Sequence, residues 1–85
     1  MIFRVEPDDS PRESFGGYKY RIYCHDVLVA SYWHDYRGDE HGIAFVNGQS
    51  ESCPVGRMTE FLEGGGPQPV VLSRRAEAYI QERLG

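Results

Sequence analysis

The sequence predicts an α+β protein, in which an antiparallel β-meander of four to six short strands carries a short helix and a C-terminal helix on one face. Segments that alternate apolar and polar residues occupy the first half of the chain, whereas apolar residues recur with a helical period between Arg74 and Leu84. Strands followed by helices are typical of α+β proteins. With 85 residues in total, we expect residues 1–85 to form one domain around a thin core.

The first two predicted strands flank a loop. Residues Met1–Glu6 alternate in polarity and are closed by Pro7, which is typical of a short strand. Residues Asp8–Gly17 are rich in Ser, Pro, Gly and charged residues and predict a loop. Residues Tyr18–Cys24 alternate strictly, so one face should carry Tyr20, Ile22 and Cys24 and the other Lys19, Arg21 and Tyr23.

A hairpin follows from the next two segments. His25-Asp26 predicts a tight turn, because Asp tolerates turn geometry and can bond to its own backbone. Val27–Trp33 is rich in β-branched and aromatic residues and should form the partner strand. Tyr18–Trp33 is therefore predicted to form the central hairpin of the sheet.

A second hairpin is predicted around Asn47-Gly48. Both residue types accept positive φ, so the pair predicts a type I′ turn after a strand at Ile43–Val46. The returning strand, Gln49–Ser52, is polar and should lie at an edge of the sheet.

The last third of the chain predicts two helices and a final strand. Cys53 should be the N-cap of a short helix that has Pro54 in its first turn. One apolar stripe of this helix is formed by Met58, Phe61 and Leu62. Gly64-Gly65-Gly66 should end this helix. A strand at Val70–Leu72 then precedes a helix from Arg74 to Leu84, capped by Ser73.

The connection between Tyr32 and Gly42 holds more functional side chains than a hairpin needs. It contains two His, two Asp, one Glu, one Arg and three aromatic residues, although about two to five residues suffice to join antiparallel strands. Trp, Tyr and Arg dominate the energetics of protein interfaces. The residues expected to bind a partner are Trp33, His34, Tyr36, Arg37 and His41. Trp33 ends an alternating strand, which favours a place in the core over a place at an interface.

The same connection offers the residue types of a metal site, but not the spacing. His34, Asp35, Asp39, Glu40 and His41 are all possible ligands. No CxxC, HExxH or calcium-loop pattern organises them. We therefore predict no metal site and no cofactor.

Catalytic patterns are equally incomplete. The two His-Asp pairs, at 25–26 and 34–35, resemble a general base beside its carboxylate, but adjacent residues in a strand point to opposite faces. Cys53 is the best candidate nucleophile, because the N-terminus of a helix lowers the pKa of a thiol. Its spacing to Arg57 does not match the Cys-x5-Arg loop of thiol phosphatases. No catalytic residue is assigned.

Charge and hydropathy disfavour several other classes. The net charge of −4 and the single Lys disfavour binding to nucleic acid, which requires clustered cations. No apolar run approaches the ~20 residues of a membrane span. Cys24 and Cys53 are too few for a disulfide scaffold. We expect a cytoplasmic protein that does not bind membranes.

Three functions stay open on this basis. The first is a non-catalytic interaction module that binds an unknown protein partner or a second copy of itself, which requires no motif that the chain lacks. The second is a small nucleic-acid-associated protein that uses Lys19, Arg21 and the Arg74-Arg75 pair. The third is a metal- or thiol-dependent enzyme built on His34, His41 and Cys53.

Overall fold

The structure, a computed structural model, describes residues 2–8, 18–35, 40–65 and 67–84. It confirms the α+β class and the antiparallel meander. Five strands form the main sheet in the order in which they occur along the chain. They are β1 (Phe3–Pro7), β2 (Tyr18–Cys24), β3 (Val27–His34), β4 (His41–Phe45) and β5 (Ser50–Ser52). Residues 9–17 of the predicted loop lie outside the described residues.

The predicted central hairpin is confirmed. Ile22 pairs with Ala30, and a register shift follows between Ile22 and Tyr23. His25 and Asp26 have φ values of 51° and 65°, which is the positive-φ pair of a two-residue type I′ turn. Strand β3 extends one residue beyond the prediction, to His34.

The turn between β4 and β5 differs from the prediction. Gly48 has a φ of 99°, whereas Asn47 keeps a negative φ. The amide of Gly48 donates to the carbonyl of Phe45 at 3.0 Å, and Asn47 Oδ1 accepts from the amide of Gln49 at 2.9 Å. This is a type I turn followed by a left-handed glycine, so the type I′ prediction is wrong. The predicted edge strand is present as β5.

The segment after β5 also corrects the sequence analysis. Helix α1 (Met58–Phe61) has only four residues and its N-cap is Arg57, so neither Cys53 nor Pro54 belongs to it. Leu62 leaves the helix and begins β6 (Leu62–Gly65), which pairs with β7 (Gln68–Leu72). Gly64 therefore belongs to a strand rather than to a helix stop, and its φ of 88° places it against the backbone of Pro69.

Helix α2 (Arg74–Leu84) covers one face of the main sheet. Its buried residues Ala76 and Ile80 belong to the same core as Ile22 and Tyr32 of the sheet. Ser73 caps the helix as predicted, because its Oγ accepts from the amide of Ala76 at 3.0 Å. The same hydroxyl donates to the carbonyl of Glu60 at 2.6 Å and joins α2 to α1. Neither described helix is long and apolar enough to cross a membrane.

Candidate functional site

The structure divides the predicted binding residues between the two faces of the main sheet. His34 and His41 are paired across β3 and β4 and point toward the core, where they are 7% and 1% exposed. Trp33 points to the opposite face and is 41% exposed. Tyr36 and Arg37 lie outside the described residues. The predicted cluster is therefore not one surface.

Both ring nitrogens of His41 are engaged. Its Nε2 lies 2.8 Å from the carbonyl oxygen of Gly56, which can only accept, so Nε2 carries the hydrogen. In the neutral imidazole, Nδ1 then accepts from the hydroxyl of Tyr32 at 2.8 Å. His41 thus bonds β3 on one side and the segment after β5 on the other.

Tyr32 is the centre of this buried network. Its ring stacks on Phe61 with centroids 4.3 Å apart and planes at 3°. Burial raises the pKa of the Tyr32 hydroxyl well above its ordinary value, and the nearby Tyr20 and Cys53 raise it further. The hydroxyl therefore keeps its proton and acts as a hydrogen-bond donor.

Both ring nitrogens of His34 also form hydrogen bonds, but its hydrogen lies on Nδ1 rather than on Nε2. Its Nδ1 donates to the carbonyl of Asp35 at 2.7 Å, and its Nε2 accepts from the hydroxyl of Tyr20 at 3.3 Å. The ring stacks on Tyr18 and Tyr20, with centroids 5.0 and 5.6 Å away. Neither histidine offers a ring nitrogen to a substrate without losing an internal hydrogen bond.

Cys53 lies outside any helix. It has a φ of 50°, its side chain is exposed, and its amide donates to the carbonyl of His41 at 2.8 Å. Val55, with a φ of 56°, is a β-branched residue in the left-handed region, which costs on the order of 1–3 kcal/mol. The bond from His41 to Gly56 holds this strained segment on the sheet. Among the described residues, no group of three or more His, Cys, Asp or Glu could hold a metal ion.

The other face of the main sheet carries no helix of the described chain. We define the outer face as the side chains that point away from α2. They are Arg4, Glu6, Asp8, Lys19, Arg21, Tyr23, Leu28, Ser31, Trp33, Gly42, Ala44, Ser50 and Ser52.

Trp33 is held in place on this outer face. It is the cross-strand partner of Gly42, and a Cβ at position 42 would lie 2.7 Å from the indole Nε1. The indole therefore covers the backbone of Gly42, which is buried although it belongs to an exposed face. On the other side, Trp33 pairs with the exposed residue Lys19.

Charges of both signs lie on the outer face. Glu6 pairs with Arg4 at 2.9 Å and with Arg21 at 3.6 Å, and Arg4 also bonds to Asp26 in the turn. The guanidinium of Arg4 lies over the ring of Tyr23, 4.5 Å from its centroid. Lys19 forms no ion pair with a described residue. Asp8 lies opposite Lys19, because its amide donates to the carbonyl of Lys19 at 2.9 Å. Among the described residues, three cations at this face, Arg4, Lys19 and Arg21, are thus matched by three anions, Glu6, Asp8 and Asp26.

No family model, curated protein or solved structure matches the chain. The candidate site rests on its geometry.

The sequence analysis missed those contacts on both faces of the sheet that depend on the pairing of distant segments. The partners of His41, namely Tyr32 and Gly56, are nine and fifteen residues away in sequence. The contact of Trp33 with Gly42 follows from the β3–β4 register. The alternation of β3 was the available signal, because it places Trp33 on the opposite face from Tyr32 and His34.

Proposed function

We propose that this protein is a non-catalytic interaction module that binds a protein partner on the outer face, with Trp33 as the central contact. The observation that carries the proposal is the position of Trp33, whose indole lies on Gly42 and is still 41% exposed. A large apolar side chain held on a sheet face that carries no helix of the described residues is the kind of anchor that dominates interface energetics.

The contact with Gly42 favours binding energetically. Association costs about 0.5–1.5 kcal/mol for each flexible side chain that it immobilises. The indole of Trp33 is already restricted by the backbone of Gly42 before a partner arrives. Most of its contact area with a partner is then gained without that entropic loss.

The inward histidines support binding over catalysis. A general base or a metal ligand needs a free ring nitrogen, whereas His34 and His41 each use both nitrogens within the fold. Their geometry serves to join β3, β4 and the segment at Gly56. Cys53 is exposed, but neither histidine has a free nitrogen with which to activate its thiol.

A display selection from random peptides tests the proposal. We expect peptides selected on the wild-type protein to lose binding to a Trp33→Ser variant and to keep binding to a Val71→Ser control. Val71 is 49% exposed on β7, so the control removes a similarly exposed apolar side chain from another sheet. Selected peptides that bind both variants and the wild type equally would overturn the proposal. Thermal unfolding of both variants is the control for correct folding.

A further inference from the structure

We propose that Asn47 is a site of spontaneous deamidation, and that the contact between β5 and α2 controls the rate of this modification. Asn is among the chemically labile residues of proteins. Asn47 is the single Asn of the chain, and it is followed by Gly48 in the turn between β4 and β5. Both residues are exposed. The proposal goes beyond the contact surface around Trp33 and does not depend on it.

The reaction needs water as its only co-reactant. The backbone nitrogen of Gly48 loses its proton to hydroxide and attacks Cγ of Asn47. The bond from Cγ to the side-chain nitrogen breaks, and this nitrogen takes a proton from water and leaves as ammonia. The product is a five-membered cyclic imide. Water then breaks one of the two ring bonds to the Gly48 nitrogen. Cleavage at Cγ gives aspartate, and cleavage at the main-chain carbonyl gives isoaspartate.

The geometry of the turn favours the attack on Cγ. Oδ1 of Asn47 accepts from the amide of Gln49 at 2.9 Å, so the carboxamide is folded back over the peptide group that contains the attacking nitrogen. The same amide would stabilise the negative charge that develops on this oxygen, as the donors of an oxyanion hole do. Beyond the chain neighbours of Gly48, no described atom lies within 4 Å of the position that its Cβ would take, so its nitrogen is sterically open.

A hydrogen bond of the closed turn opposes the reaction. The amide of Gly48 donates to the carbonyl of Phe45 at 3.0 Å. A hydrogen-bonded amide loses its proton only after local opening of the structure. The nitrogen of the imide carries no hydrogen, so this bond is also lost in the intermediate. Deamidation therefore proceeds from the open turn, and contacts that keep the turn closed slow it.

The contact between β5 and α2 keeps the turn closed. The hydroxyl of Tyr79 and the guanidinium of Arg83 both bond to the carboxylate of Glu51, the guanidinium at 3.2 Å. Glu51 is the central residue of β5, which has only three residues and lies at the edge of the sheet. Local opening requires little free energy where few contacts hold a segment. The bonds to Glu51 are therefore expected to determine how often the turn opens.

The two products differ in their effect on the fold. Aspartate keeps the length of the main chain and an acceptor for the amide of Gln49. Isoaspartate adds one carbon to the main chain between Phe45 and Gly48. The amide of Phe45 also donates to the carbonyl of Gln49 at 2.7 Å, so the turn is fixed at two points. The longer chain cannot keep both bonds, and we expect isoaspartate to release β5 from its register with β4.

Mass spectrometry of protein that has been aged at mildly alkaline pH tests the site. We expect a hydroxyl to replace the side-chain amide of Asn47. An endoproteinase specific for Asp distinguishes the products, because it does not cleave at isoaspartate. The rate should be about two- to tenfold lower in the folded protein than in the chain unfolded by urea, which is the range expected for one net hydrogen bond.

Tyr79→Phe with a matched control tests the role of β5. The change removes one of the two bonds to Glu51 and should speed deamidation of the folded protein by about two- to tenfold. Hydrogen exchange of the Gly48 amide should rise by the same factor, because both reactions start from the open turn. Neither rate should change in Tyr23→Phe, which removes a hydroxyl from the outer face. In urea, all three proteins should be deamidated at the same rate.

Each outcome decides a separate part of the proposal. If Asn47 stays unmodified in the folded protein, the modification site is overturned. If folding does not slow the reaction, or Tyr79→Phe does not speed it, the control by β5 is overturned and the site is kept. If the isoaspartate form unfolds at the same temperature as the unmodified protein, the release of β5 is overturned. None of these results affects peptide binding at Trp33, so the proposed function is tested independently.

Discussion

The indole of Trp33 occupies the space that any side chain at position 42 would require. The two residues are paired across β3 and β4, and the nearest three indole atoms lie 2.7–2.9 Å from the Cβ that Gly42 lacks. Gly42 thus sets the height and orientation of the exposed indole. The geometry of the proposed contact surface depends on this residue as much as on the tryptophan.

Gly42→Ala should displace Trp33. The new Cβ would overlap the indole, and a forced shift of this kind costs about 1–3 kcal/mol. We expect a lower free energy of unfolding, a change in tryptophan fluorescence and loss of peptide binding. In a Trp33→Ala background the same change should cost much less, because the overlap is gone. An equal cost in both backgrounds would contradict the contact.

Tyr32→Phe should expose the energetic value of the buried histidine network. The change removes the hydroxyl that donates to His41 Nδ1 and leaves a buried acceptor without its partner, at a cost of about 1–3 kcal/mol. The double variant with His41→Phe should lose less than the sum of the two single variants, measured by denaturant unfolding. Strictly additive losses would mean that the two side chains act independently.

Tyr79→Phe should change how the free energy of unfolding depends on pH, at both alkaline and acidic pH. The Tyr79 hydroxyl donates to Glu51 on β5, and Arg83 bonds the same carboxylate at 3.2 Å. Burial, followed by the bond to Glu51, raises the pKa of Tyr79 from 10.0 to about 12. The bond from Tyr79, followed by Arg83, lowers the pKa of Glu51 below its ordinary 4.5.

The signs follow from linkage. Because the pKa of Tyr79 is raised in the folded state, its contribution to stability is fully present below pH 10 and is lost as the pH rises toward 12. Because the pKa of Glu51 is lowered in the folded state, its contribution to stability is present above pH 4.5 and is lost as the pH falls below that value. Denaturant unfolding across pH should therefore show both losses reduced in Tyr79→Phe. The control Tyr23→Phe, on the outer face, should keep the wild-type profile, and an unchanged profile in Tyr79→Phe would remove the role of its hydroxyl.

The turn at Asn47-Gly48 makes a prediction that distinguishes its two residues. Gly48→Ala should destabilise the protein by about 1 kcal/mol or more, because its φ of 99° is unfavourable for a residue with a Cβ. Asn47→Asp should be mild, since it keeps an acceptor for the amide of Gln49, whereas Asn47→Gly removes that bond. A type I′ turn would instead tolerate Asn47→Gly without loss, and unfolding measurements on the three variants distinguish the two turns.

Local sequence patterns predicted the elements that local physics controls. The β2–β3 hairpin follows from the alternation of Tyr18–Cys24, the turn residues His25-Asp26 and the β-branched and aromatic residues of the next strand, and α2 follows from its apolar period and the Ser73 cap. Their side chains either bond to backbone groups close in sequence or form one continuous apolar face. No distant residue is needed to decide such elements.

The segment from Cys53 to Gly65 could not be predicted in this way. Its apolar spacing at Met58, Phe61 and Leu62 is helical, yet Leu62 enters a strand because β7 is available to pair with it. Cys53 is drawn out of helical geometry by the backbone bond to His41. Tertiary hydrogen bonds override local propensity in this short, glycine-rich stretch.

The sequence by itself determined which residues share a face of β2, because successive side chains there alternate with a period of two. It did not determine which face of β3 is covered, since aromatic residues occur on both, with Tyr32 on one and Trp33 on the other. Only the packing of α2 and Phe61 against Tyr32 decided this, and the β3–β4 register then placed Gly42 beneath Trp33. Burial depends on contacts between segments that are distant in sequence, which a local period does not encode.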